Sequence, residues 1–178
     1  AAGKLQNMIN SIFIAFGATI ATFVGQNRGA GKMDRVHQGV KNTQIMILIS
    51  AAVSFLIIHF CAKELMLLFV DGSQKLVIDA AARYFLAVSW AYPFLGSIFL
   101  YRNALQGMGY GLVPMLGGVF ELLARGAVVM LVLRLGGGYV STCLSDPAAW
   151  VSALIPLIPY YFYKMRKYSS LQEKKTVL

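Results

Sequence analysis

From Leu5 to Val24 the chain carries no charged residue. A helix over that run is about 30 Å long at 1.5 Å per residue, matching the hydrocarbon thickness of a bilayer. The run closes on Gly25-Gln26-Asn27-Arg28-Gly29-Ala30-Gly31-Lys32, with Arg35 just beyond. A membrane helix leaving the bilayer through a glycine-permitted turn accounts for this pattern. Its cations then stand where the positive-inside bias places them, at the cytoplasmic surface. Gly31-Lys32 also looks like the tail of a phosphate-binding loop. That reading fails, because Gln26 stands where the first glycine is required and Met33 replaces the magnesium-binding hydroxyl.

Composition points the same way. Hydrophobic residues make up 58% of the chain and charged residues 13%, against about a quarter charged in soluble domains. The net charge of +9 gathers largely at the ends of apolar runs, so anionic lipid head groups are the fitting counter-charge. No basic stripe with interleaved aromatics is present, which argues against a nucleic-acid partner. The opening Ala1-Ala2-Gly3-Lys4 lacks the basic region and cleavage site of a signal peptide. It reads as a chain that begins partway through something larger.

The apolar runs predict an all-α integral membrane fold with about five spans: 5–24, 45–62, 80–105, 112–135 and 147–163. Residues 33–44 read as an interfacial lead-in to the second span, and 63–75 as a loop turning at Asp71-Gly72-Ser73. In the third span Pro93 should free the carbonyl of Ser89 and bend the helix, with Trp90, Tyr92 and Phe94 around the bend. Gly136-Gly137-Gly138 ends the fourth span, and a polar loop is expected from Ser141 to Asp146. The basic tail, 164–178, should be disordered at the cytoplasmic membrane surface. His37 and His59 lie too far apart to suggest a metal site, and no metal or other cofactor is expected. A disulfide between Cys61 and Cys143 is geometrically conceivable, but buried or loop thiols are the plainer reading.

Basic residues split ten to five between alternate ends of the spans. The richer side holds Arg28, Lys32, Arg102 and Lys164 and is expected to be cytoplasmic, with the N-terminus outside.

The stretch Val24 to Lys32 resembles the signature of multidrug and toxin extrusion (MATE) transporters. Arg102-Asn103-Ala104-Leu105-Gln106-Gly107-Met108-Gly109 is similar to a second family feature, and Pro114 with Glu121 to Arg125 to a third. The resemblance implies most of the C-terminal six-helix bundle of a two-bundle transporter, whose N-terminal bundle would be a partner from the same protein. It implies antiport of organic cations or amphipathic compounds, driven by sodium or protons. Some members bind the coupling ion at an acid in the helix corresponding to the third span. Here no acid lies between Tyr84 and Arg102, so neither ion is assigned.

The candidate pathway residues are Glu121, Arg125, Tyr92 and Asn103. Glu121 and Arg125 stand four apart inside the fourth span, acid first, the favourable order for a pair on one helical face. Each alone would cost roughly 2.5–3.5 kcal/mol at mid-membrane. They are either a self-neutralising structural lock or a pair that changes partners during transport. Gly25, Gln26, Asn27, Gly29 and Gly31 form the candidate cytoplasmic turn. Two alternatives remain, a lipid-linked oligosaccharide flippase of the same superfamily and a non-transporting membrane scaffold. A flippase should show several inward basic residues, whereas Arg125 is the one clearly deep cation. An enzyme is not expected, because no nucleophile–base or paired-acid arrangement is present.

Overall fold

A computed structural model describes the backbone of residues 2–176 and the side chains of residues 3–168. Among the described residues the fold is all-α, with helices α1 (Ala2–Gly29), α2 (Met33–Leu67), α3 (Lys75–Val88), α4 (Tyr92–Gly107), α5 (Leu112–Arg134), α6 (Tyr139–Cys143) and α7 (Ser145–Thr176). They make five helical segments long and apolar enough to cross a membrane, α3–α4 and α6–α7 each counting as one.

The packing alternates up and down. α1 and α4 run parallel, joined near their starts by the Tyr92 hydroxyl donating to Gln6 Oε1 at 3.1 Å. Farther along, Gly17 faces Asn103 and Gly107 lies against Ala21. α2 crosses antiparallel to α4, with Gln44 Nε2 donating to Ser97 Oγ at 3.0 Å. α5 and α7 form an antiparallel pair in which Ser152 Oγ donates to the Phe120 carbonyl at 3.1 Å. Phe13, Ile47, Phe85, Tyr92, Leu100, Leu105, Leu157 and Tyr161 are fully buried between these helices. Leu122, Leu133 and Phe60 stay more than 70% exposed, a surface suited to lipid rather than water.

Four expectations need correction. First, residues 33–44 are not a separate lead-in, and no loop starts at Lys63. α2 is one helix from Met33 to Leu67, leaving helical geometry only at Cys61 (φ −125°, ψ 21°). Met33, Val36 and Val40 recur at helical spacing and are buried, which draws the polar segment into the helix. Past Cys61, Met66 is buried and Lys63 pairs with Asp79 at 2.8 Å, so the helix has reason to continue.

Second, the break before Pro93 is real, but the Ser89 carbonyl is not left free. The chain tightens into a 3₁₀ turn at Ser89–Ala91, and the Tyr92 N–H donates to that carbonyl. Third, Ser141 to Asp146 is not an open loop. It contains the end of α6 and the start of α7. Fourth, the tail is not disordered up to Thr176. α7 passes Pro156 and Pro159 without ending and remains helical to Thr176. Tyr168 is anchored there by a 3.2 Å hydroxyl contact with Tyr110, and the residues beyond it, from Leu171 to Lys175, are mostly good helix formers. Residues 177 and 178 lie outside the described residues.

The turn at Asp71-Gly72-Ser73 is present, closed by the Ser73 N–H donating to Asp71 Oδ1 at 2.8 Å. That bond holds the Asp71 carboxyl below its ordinary range. Both cysteines are free, Cys61 exposed and Cys143 buried.

Candidate functional site

One turn of α5 brings Glu121 and Arg125 onto the same face, and Arg125 Nη2 donates to Glu121 Oε1 at 3.1 Å. The pair does not stand alone. Arg102 Nη2, from α4, reaches Glu121 Oε2 at 3.4 Å. Arg125 Nε donates to Asp146 Oδ1, at the start of α7, at 3.0 Å. The Tyr84 hydroxyl, from α3, donates to Asp146 Oδ2 at 2.8 Å. Two guanidinium groups and two carboxylates therefore alternate across three helices, with a phenol at one end. Their charges sum to zero.

The depth of this network follows from the helix ends. Arg125 precedes the last residue of α5, Arg134, by nine positions, about 14 Å of helix. Asp146 meets it there, so α7 begins beside the middle of α5 rather than at the level of its end. The ionic side chains are 22–40% exposed, partly shielded and still reachable. The joints differ in strength. Arg125 makes two short charge-assisted bonds, while Arg102 makes one long contact and leaves its buried Nε without an acceptor among the described residues. Arg102 is the looser cation.

Of the four candidate pathway residues, the structure brings together Glu121 and Arg125. Tyr92 and Asn103 sit elsewhere on α4, against α1. Tyr92 is fully buried, with its ring 6.4 Å from that of Phe13 and 6.2 Å from that of Trp150. Asn103 Nδ2 donates to its own helix, to the Phe99 carbonyl at 2.8 Å, beside Gly17. Sequence reasoning missed Arg102, Asp146 and Tyr84 as members of the network. By sequence Arg102 reads as part of the basic turn and Asp146 as part of a loop. Their partners lie 19 and 21 residues away, beyond the reach of any helical spacing rule.

The glycine turn ends α1 by a local capping pattern. The Gln26 carbonyl accepts from the Ala30 N–H at 3.1 Å, and the Asn27 carbonyl accepts from the Lys32 N–H at 2.8 Å. Asn27 Nδ2 donates back to the Phe23 carbonyl at 2.8 Å. Gly31 takes φ +72°, the left-handed conformation that stops a helix and that a side chain would strain. Gly25 faces the carbonyl of Gly107, so the ends of α1 and α4 meet, whereas Gly29 stands open.

Comparison with known proteins sets this geometry in context. The MatE family matches residues 1–132, a stretch holding the glycine turn, Arg102, Glu121 and Arg125. The chain belongs to the MatE family. A MatE-type relative, the FAD transporter of Shewanella oneidensis (strain MR-1), is 27% identical over 137 residues. The match covers 77% of this chain and 29% of the relative, so the chain spans less than a third of that protein's length. No solved structure matches the chain. Family and relative both point to membrane transport rather than to catalysis.

Proposed function

We propose that this MatE chain forms part of a secondary transporter of the cytoplasmic membrane that exports drugs or other organic compounds by antiport against sodium or protons. An N-terminal bundle of the same protein supplies the other wall of the pathway, since transporters built from two repeats bind cargo at the interface between them. The C-terminus is cytoplasmic and the start of α1 is external, in keeping with the ten-to-five split of basic residues.

The observation that carries the reading is the Arg102–Glu121–Arg125–Asp146 network. Ionisable groups inside apolar helices are costly and mark pathways or relays. Glu121 is the carboxylate shared by both arginines. A proton or cation taken up there weakens the 3.4 Å contact first and frees Arg102. The convergence of two arginines on one carboxylate also favours a second reading, in which the cargo bears phosphate. Such cargo would be FAD, as the relative's name states, or a lipid-linked oligosaccharide pyrophosphate. A non-transporting scaffold is the outcome to exclude.

The test uses the whole protein in sealed vesicles, with an imposed sodium or pH gradient. Movement of a cationic dye and of FAD is measured against protein-free vesicles. Gradient-dependent dye movement supports drug export, and FAD movement supports the second reading. Movement of neither would overturn the transport proposal.

A further inference from the structure

A second cationic cluster lies just past the C-terminal end of α4, against the far part of α7, whose opposite end holds Asp146 of the charged network. The Arg28 guanidinium sits over the Tyr110 ring at 5.3 Å and over Tyr168 at 5.9 Å. Lys164 Nζ lies 4.4 Å from the Tyr110 centroid, 5.0 Å from Tyr160 and 5.6 Å from Tyr163. The three contributors are the end of α1, the turn between α4 and α5, and the far part of α7. Gly109, at φ +77°, turns the chain there. A Cβ on it would stand 2.9 Å from Arg28 Nη1.

Among the described residues the cluster has charge without counter-charge. No carboxylate among the described residues lies within 4 Å of Arg28 or Lys164. Aromatic faces hold a cation in place, but they leave its net charge intact. The tyrosines add a donor. Tyr110 and Tyr168 hydroxyls meet at 3.2 Å, and whichever donates, the other keeps a hydrogen to give elsewhere. All four side chains are half-buried and so within reach of a ligand.

Height identifies the ligand. Lys164 follows Asp146 by eighteen residues, about 27 Å of helix, and Arg28 stands in the last turn of α1. Both therefore lie where membrane helices pass into the head-group layer. Tyrosine and basic side chains are favoured at that level, and basic pockets between helices take anionic lipid head groups.

We propose that Arg28, Lys164 and the Tyr110–Tyr168 hydroxyl pair bind the phosphate of an anionic phospholipid. The bound lipid clasps the two glycine turns to α7. The site is distinct from the charged network and does not rest on the transport reading.

The test is native mass spectrometry of the whole protein in detergent, titrated with phosphatidylglycerol or phosphatidylcholine. Phosphatidylglycerol is retained preferentially. Arg28→Gln and Lys164→Gln each weaken its retention about fivefold, and the double variant about twenty-five-fold. Lys75→Gln, an exposed cation at the opposite end, leaves it unchanged. Retention in the double variant equal to that of Lys75→Gln overturns the proposal. So does a double variant that melts earlier yet keeps its lipid, which would make the cluster a structural clasp alone. Displacement of the lipid by millimolar inorganic phosphate assigns the site to free phosphate and overturns the lipid. If the double variant aggregates, Tyr110→Phe decides, because it keeps the ring and both cations but removes a hydroxyl. Undiminished retention in that variant overturns the proposal, and a several-fold loss at unchanged melting temperature upholds it.

Discussion

Glu121 accepts from two arginines, and this changes how its replacement should behave. If the network were the i,i+4 pair alone, removing Glu121 and Arg125 together would leave nothing uncompensated. In the four-charge arrangement that double change strands Arg102 on α4 and Asp146 on α7. The neutral cuts lie elsewhere. Arg102→Met with Glu121→Gln leaves the Arg125–Asp146 pair whole, and Arg125→Met with Asp146→Asn leaves Arg102–Glu121. We expect each single change to cost about 1–3 kcal/mol, below the ~3–5 kcal/mol for a fully buried pair because these groups are partly exposed. The two neutral cuts should keep near-normal membrane abundance, and Glu121→Gln with Arg125→Met should not. Abundance and efflux are measured separately for every variant. Equal abundance of all three doubles would show that the cross-helix joints contribute nothing. A neutral cut that keeps abundance and loses efflux would place the severed pair in the transport cycle.

Among the elements, α1 and α4 press backbone against backbone at Gly107. A Cβ on Gly107 would stand 2.5 Å from the Ala21 carbonyl oxygen, a backbone atom that cannot step aside. Gly107→Ala should therefore lower the melting temperature by several degrees, the effect of about 1–3 kcal/mol of overpacking. Gly111→Ala, with open space around its Cβ position, serves as the control and should change little. Equal melting of the two variants would mean that α1 and α4 are not pressed together there. The spans themselves were legible, because long charge-free runs leave a membrane helix few alternatives. The pair at Glu121 and Arg125 was legible for a similar reason, since one helical turn sets its spacing. Arg102 and Asp146 were not, because their positions depend on how α4 and α7 pack against α5. The continuation of α2 to Leu67 was hidden by Lys63 and Glu64, which look like a loop until Asp79 is seen beside Lys63.

At the scale of the whole molecule, orientation is open to a direct test. In a background with Cys61→Ser and Cys143→Ser, a membrane-impermeant thiol reagent added outside should modify Ser73→Cys and spare Lys32→Cys. The opposite pattern would invert the topology. If an N-terminal bundle forms the other wall, as proposed, residues 1–178 alone should move no cargo. Dye efflux from vesicles holding this segment alone would refute that. The balance of the charged network has an electrical consequence. Moving one elementary charge across 100 mV changes its energy by about 2.3 kcal/mol, but a cluster of two positive and two negative charges that moves as a unit feels almost none of this. The helices can rock with the network intact at nearly the same energy in a polarised membrane as in a depolarised one. On the proposed transport reading, any voltage dependence of the rate would then come from the cargo, the coupling ion, or a moment when Glu121 has lost its charge.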